Sequence, residues 1–206
     1  TEAMLHEKEP SVEPEARSIT ILYGSESGNA QGLAEIFEQR LSDIGNDVTL
    51  KSMDDFKPKN LKKVEDLFII TSTHGEGDPP DNAVELHEYI HGRKAPKLDG
   101  VRFSVLALGD QTYEFFCQTG KDFDNRLAEL GAERLYHRTD CDVDYEEDAE
   151  KWMANVINTI DSTPAGTESE QVVSESIKSA KEKKYSKSNP YDAEVLTNIN
   201  LNGRGS

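Results

Sequence analysis

Three loops hold the residues able to do chemistry. The first is Ser25-Glu26-Ser27-Gly28-Asn29-Ala30, set between an apolar run at 19–22 and a helix-like pattern over 31–44. A helix start leaves backbone N–H groups without partners, and its dipole favours negative charge, so a strand–loop–helix junction of this kind can hold an anion. Ser25, Ser27 and Asn29 add side-chain donors, and the loop has no Lys or Arg. A loop built for nucleoside triphosphates ends in Gly-Lys-Ser/Thr, which meets the extra phosphates and Mg²⁺. Here Gly28-Asn29-Ala30 stands in that place, which suits a single terminal phosphate held by neutral donors. The same residue types also make an ordinary strand–helix turn, so the loop alone leaves both readings open.

The second loop offers Ser72, Thr73, His74, Gly75 and Gly77. Its glycines let a backbone approach a planar ligand and let a peptide reorient. The third runs Leu108-Gly109-Asp110-Gln111-Thr112-Tyr113-Glu114-Phe115-Phe116-Cys117. An aromatic such as Tyr113 just after a buried strand is a stacking platform for a flat heterocycle, or else a packed loop aromatic. At least one of Phe115 and Phe116 is expected to face the core. A phosphate at the first loop and a ring at the other two describe a mononucleotide with a large ring. No second His or Cys stands at ligand spacing from His74, so no metal site is expected.

The elements that position these loops follow from hydrophobic period. Residues 19–23 are β-rich; Leu33, Ile36, Phe37 and Leu41 then fall at helical spacing, with Gly45 as a stop. Residues 48–53 alternate as a half-covered edge strand, and 54–63 read as loop or short helix around Phe56 and Leu61. The continuous apolar runs at 67–72 and 101–108 mark central strands buried on both faces. Helices are expected from Val84 to near Gly92, over 121–130 with Gly131 as its cap, and over 145–160 with Trp152, Val156 and Ile160 on one side. Residues 133–138 read as a last, more polar strand. Strands alternating with helices predict an α/β fold, a parallel sheet covered on both faces. Ligands on such sheets sit beyond the carboxyl ends of the strands, and all three loops lie at such ends.

The chain has 206 residues, is 35% hydrophobic and has a mean hydropathy of −0.70, which suggests one domain diluted by polar ends. We expect a disordered arm at 1–17, a folded domain at 18–160, a flexible Ser/Thr/Glu/Lys-rich linker at 161–189, and at 190–206 the cut start of another domain. No apolar run approaches a membrane span, and the N-terminus has no secretory h-region. Two cysteines, Cys117 and Cys141, make no disulfide framework and point to a cytoplasmic protein with reduced thiols. The formal charge is −17. Residues 1–17 hold five acids against two bases and 161–206 seven against six, so most of the acidity belongs to the folded part. Such a chain is a poor partner for nucleic acid or anionic membranes; a basic protein surface suits it better.

Tyr-Gly-Ser-Glu-Ser-Gly-Asn-Ala at 23–30, Thr-Ser-Thr-His-Gly-Glu-Gly-Asp-Pro-Pro at 71–80 and Leu-Gly-Asp-Gln-Thr-Tyr-Glu-Phe-Phe-Cys-Gln-Thr-Gly-Lys-Asp-Phe-Asp at 108–124 resemble the three flavin-contacting segments of the FMN domains of diflavin reductases. The similarity is greatest to the flavoprotein alpha subunits of NADPH-dependent sulfite reductases and covers about residues 18–160. It implies a flavodoxin-like, doubly wound, five-stranded parallel sheet of order 2-1-3-4-5. It further implies that Ser25, Glu26, Ser27, Gly28, Asn29 and Ala30 hold the FMN phosphate. Ser72, Thr73, His74, Gly75 and Leu108 to Cys117 would hold the isoalloxazine, with Tyr113 as the stacking tyrosine and Asp142 near the flavin edge. At His74 cytochrome reductases carry a stacking tyrosine, which favours the sulfite reductase branch. Electrons would pass from NADPH to FAD to FMN and on to a sulfite reductase hemoprotein, and the stretch after Pro190 would begin the FAD-binding domain of the same chain. The Gly75 peptide would turn to accept a hydrogen bond from flavin N5–H.

Asp140, Asp142, Asp144, Glu146, Glu147, Asp148 and Glu150 form an acidic run. It reads as a solvated helix start, or as a face that lowers the flavin potential and meets a basic acceptor. A free-standing flavodoxin-type carrier and a cytochrome reductase FMN domain share the loops. A phosphoacceptor receiver domain needs acids where Gly24-Ser25 and Thr73-His74 stand.

Overall fold

Apolar continuity places two strands at the centre of the sheet in the computed structural model, which describes residues 17–162. β3 (Asp66–Ser72) is buried along all but its last residue, and β4 (Arg102–Leu108) along all but its first. β1 (Ile19–Gly24) lies beside β3, and β2 (Val48–Ser52) takes the edge, alternating between half-buried and exposed as the sequence predicts. With β5 (Glu133–Arg134) at the other edge, the order is β2-β1-β3-β4-β5, with parallel pairing throughout. The expected linker beyond Ser162, the segment 190–206 and the arm before Arg17 lie outside the described residues.

Helices cover both faces. α1 (Asn29–Asp43) and α4 (Glu146–Ser162) pack on one; α2 (Val84–His91) and α3 (Gln118–Glu129) pack on the other, with a 3₁₀ turn at Pro58–Lys63 where sequence left loop or short helix open. The strand period of two divides the core: Phe68 and Ile70 of β3 face α1 and α4, while Leu67 and Ile69 face α2 and α3. Phe37, Phe68 and Trp152 form an aromatic trio with ring centroids 5.1–6.1 Å apart. The Trp152 indole N–H donates to Ser104 Oγ at 2.9 Å, which satisfies two polar groups inside the core.

The fifth strand position differs from expectation. In place of one strand over 133–138 there are two short ones, β5 (Glu133–Arg134) beside the start of β4 and β6 (Thr139–Cys141) beside its end. The cause is an ion network. Arg134 and Arg138 both donate to the buried carboxylate of Asp124 in α3, and Arg138 also donates to Asp140 at 2.6 Å. These side chains turn onto α3, and after Leu135, whose amide still donates to the Phe103 carbonyl at 2.8 Å, the chain leaves the ladder until β6. Helix boundaries shift too: α1 starts at Asn29, two residues before the predicted start, and α3 at Gln118, three before.

One half-buried group makes stability depend on pH. His87 of α2 lies edge-on to Phe123 and beside His91, with ring centroids 5.5 and 4.4 Å away. Burial first, and then His91, hold its imidazole below the ordinary value; Asp122, 3.5 Å away, opposes them. The folded protein thus binds this proton less readily than the unfolded chain. The resulting stability is fully present above the unfolded imidazole value and is lost as pH falls from there through the lower folded value. In urea titrations the midpoint is expected to fall more steeply between about pH 7 and 5 for the parent chain than for His87→Gln. Parallel curves for the two would count against it.

Candidate functional site

The carboxyl ends of β1, β3, β4 and β6 open on one cleft of about 400 Å³. It sits where the strand order reverses between β1 and β3. The first loop places Ser27 and Asn29 in its wall. Gly28 caps α1 in a left-handed conformation, φ 87°, and the first intrahelical bond runs from the Gly32 amide to the Gly28 carbonyl at 2.9 Å. The amides of Asn29, Ala30 and Gln31 therefore precede the helical ladder and form the positive end of its dipole. Ser25 and Glu26 act differently. Ser25 Oγ accepts from the Gly28 amide at 3.0 Å, and Glu26 Oε1 accepts from the Asp81 amide at 2.7 Å. Both brace the loop, and Ala30 is fully buried against the sheet.

The second loop contributes Ser72, Thr73, His74 and Gly75 to the lining. Paired backbone bonds between His74 and Asp78, at 2.8 and 2.9 Å, close it into a tight turn. Gly77 lets the third loop come close: a Cβ there would stand 2.9 Å from Phe115 Cβ. The Thr119 hydroxyl donates to the Asp78 carbonyl at 3.0 Å and joins the two loops.

From the third loop, Leu108, Gly109, Asp110, Tyr113, Phe115, Phe116 and Cys117 line the cleft, whereas Gln111, Thr112 and Glu114 point to solvent. Tyr113 is 62% exposed and Phe115 42%. Neither phenylalanine enters the core, contrary to expectation: Phe116 is half-buried, and Cys117 takes the inward position. The chain doubles back so tightly that a Cβ on Gly109 would lie 2.8 Å from the Cys117 amide nitrogen. Cys117 is left-handed, φ 55°, and its Sγ lies 3.5 Å from the carbonyls of Ala107 and Cys141. Burial pushes both the Cys117 and Cys141 thiols up to about 12, so neither is a nucleophile. Asp142 Oδ1 accepts from the Gln111 amide at 2.9 Å, which braces the third loop from β6. Hydrogen bonds from the Thr112 hydroxyl and amide hold the Asp110 carboxyl below the usual carboxylate range.

Val143 and Tyr145 also line the cleft. They follow β6, whose split from β5 is a tertiary effect, so the sequence held no local signal for them. The acidic run proves to be largely partnered. Asp140 pairs with Arg138, Asp142 with the Gln111 amide, Glu147 and Asp148 with Lys151, and Glu150 with Arg40; Asp144 and Glu146 remain open to solvent.

Residues 21–152 match the flavodoxin family. The chain belongs to that family. Flavodoxin itself exemplifies the switch-point rule, with FMN at the β1/β3 reversal, where this cleft lies. The flavodoxin of Streptococcus pneumonia TIGR4 superposes with a TM-score of 0.63 over 70% of this chain and 97% of its own, at 24% identity. Oxidised flavodoxin 1 of Bacillus cereus gives 0.61 over 71% and 99%, at 19% identity. The sulfite reductase [NADPH] flavoprotein alpha-component of Bacillus subtilis is 54% identical over 93% of this chain, and that of Vibrio parahaemolyticus 46% over 93%. The chain spans 31% of the length of each.

The flavodoxin cleft fits FMN by its donor set. Neutral donors and a helix N-terminus stand at one end, a half-apolar slot at the other, and Gly109 and Gly77 keep the slot walls thin. Among the described residues no group of His, Cys, Asp and Glu could hold a metal ion, and no helix is long and apolar enough to cross a membrane.

Proposed function

We propose that residues 18–160 form the FMN domain of a diflavin reductase, the flavoprotein of an NADPH-dependent sulfite reductase. In this reading electrons come from NADPH through FAD and leave for a hemoprotein that reduces sulfite to sulfide, in the cytoplasm. The observation that carries it is the convergence of the three loops on one cleft at the switch point. Identity of 54% to a protein about three times as long supports the multidomain reading over a free-standing carrier.

FMN, when bound, supplies one- and two-electron redox chemistry. The chain's own residues bind, orient and tune. The α1 N-terminus with Ser27 and Asn29 would take the phosphate, Tyr113 would stack on the ring, and Leu108 to Asp110 would meet the ring edge. Residues 161–189 would serve as a tether and 190–206 as the start of the FAD domain; Asp161 and Ser162 still belong to α4, and the rest lies outside the described residues. Exposed Tyr113, Phe115 and Val143 beside Asp144, Glu146 and Glu114 suit a basic acceptor surface with an apolar centre.

The direct test is colour. Purified protein should be yellow and release FMN on denaturation; a colourless protein that FMN cannot reconstitute would overturn the reading. Gly75, at φ 50°, has open space around it, with only Asp78 Oδ2 3.8 Å from a built Cβ. Gly75→Ala should cost roughly 1 kcal/mol of backbone strain and restrict the peptide turn that presents a carbonyl to flavin N5–H. Spectroelectrochemical titration is expected to show the first one-electron midpoint moving to more negative potential. An unmoved midpoint would remove Gly75 from the tuning role.

A further inference from the structure

A series of hydrogen bonds supports the first loop from outside the cleft. Its centre is Asn82, in the 3₁₀ turn Asp81–Ala83 that precedes α2. Asn82 is half-buried and does not line the cleft. Its Oδ1 accepts from the Ser25 amide at 3.0 Å, and its Nδ2 donates to Ser52 Oγ at 3.0 Å. A backbone N–H can only donate, so the Ser25 contact fixes which end of the carboxamide faces the loop. Ser25 is the first residue after β1, and Ser52 is the last of β2. One side chain therefore ties the amide that leaves the sheet to the end of the neighbouring strand.

The series continues to the helix start. Ser25 Oγ accepts from the Gly28 amide, and the Gly28 carbonyl accepts the first bond of α1 from Gly32. Ser52, Asn82, Ser25 and Gly28 thus form one continuous path that ends where α1 begins. Packing holds the turn that carries Asn82. Ala83 is fully buried, and a Cβ on Gly24 would stand 2.9 Å from the Ala83 Cβ, so the turn lies directly against the end of β1. The other tie between the turn and the loop, from the Asp81 amide to Glu26, joins two exposed residues, where water competes for both groups.

We propose that Asn82 is a positioning residue that sets the first loop in its anion-holding shape before any ligand arrives, an inference that rests on the reading of this loop as the FMN phosphate site. A loop ordered in advance loses less conformational freedom on binding, so affinity rises without a new contact. The free amides at the α1 start converge on one anion only while Gly28 keeps its left-handed turn, and the path from Asn82 leads to that turn. Asparagine serves Ser25 as acceptor and Ser52 as donor at once. Aspartate would still accept from Ser25, and the Ser52 hydroxyl could turn to donate to it, but it would add a negative charge beside an anion site. Alanine offers neither partner anything.

The test compares the full chain with Asn82→Ala and Asn82→Asp, first without flavin. Amide exchange followed by NMR should quicken by about tenfold at Ser25 and Gly28 in Asn82→Ala, the loss of one hydrogen bond, and should stay near the parent's rate in Asn82→Asp. In fluorescence titrations Asn82→Ala should weaken FMN by about tenfold and riboflavin, which has no phosphate, by no more than about twofold. Far-UV spectra should match the parent in both variants. Unchanged exchange at Ser25 in Asn82→Ala, exchange in Asn82→Asp as fast as in Asn82→Ala, or equal loss of FMN and riboflavin affinity would each overturn the proposal. A parent chain that binds neither flavin would overturn the reading of the site, whereas the exchange comparison needs no flavin and still decides whether Asn82 orders the loop.

Discussion

Asn29→Asp is expected to separate FMN from riboflavin. Asn29 is the first residue of α1, is exposed and lines the cleft at the positive end of the helix dipole. A carboxylate there lies a few ångströms from where the phosphate would sit. At an effective dielectric of about 20, two unit charges at that range repel by roughly 3 kcal/mol, about a hundredfold in Kd. Riboflavin has no phosphate, so its affinity should change by no more than about twofold. Stability of the flavin-free domain should move the other way, rising by about 0.3–1 kcal/mol, because an acid in the first helical turn complements the dipole. Fluorescence titration with both ligands and urea denaturation of the apoprotein give all three numbers. Equal loss of FMN and riboflavin affinity would mean that Asn29 shapes the ring slot and not the phosphate end.

The second large effect concerns stability. Trp152 is 1% exposed, packs on Phe37 and Phe68, and ties α4 to the middle of β4 through Ser104. Trp152→Ala should destabilise the domain by about 3–5 kcal/mol from lost burial and the cavity left behind. Leaving the buried Ser104 hydroxyl without its donor adds roughly 1 kcal/mol. Against a typical total of about 5–15 kcal/mol, this puts the variant near the edge of folding. Trp152→Phe keeps most of the packing but not the hydrogen bond, so it should cost about half as much or less. Ile36 sits on the outer side of α1 at 47% exposure, and Ile36→Ala should stay within about 0.5 kcal/mol. Urea midpoints from far-UV circular dichroism rank the three; equal loss for Ile36→Ala and Trp152→Ala would contradict this account of the core.

Where the acidic run meets a partner, the ion pairs matter. Glu150 is held by both guanidinium nitrogens of Arg40 at 2.7 Å, and Lys151 takes Glu147 and Asp148. Charge already neutralised within the domain guides a partner less than a bare count suggests. Electron transfer to a basic acceptor should therefore slow with salt, but with a slope set by the open acids near the cleft. Rates that ignore ionic strength would remove charge from the docking account.

The primary structure by itself determined the layered α/β plan. The continuous apolar runs at 67–72 and 101–108 are short and end in turn residues, which makes them strands covered on both faces, and helical spacing at 33–41 and 152–160 supplies the cover. It also determined that the glycine-, hydroxyl- and aromatic-rich loops gather at one edge, since parallel strands all end on the same side. Tertiary structure decided the rest. The fifth strand broke because Asp124, on a helix ten residues earlier than Arg134, draws in two arginines, a pairing that no local pattern announces. Within the loops, residue type could not show which side chains face the cleft. Ser25 and Glu26 turned to brace backbone amides, and Cys117 took the buried place offered to Phe115 or Phe116. Val143 and Tyr145 reached the wall only because β6 ends beside β4. Side-chain direction in a loop depends on long-range contacts, whereas strand and helix faces repeat with a period that the sequence already carries.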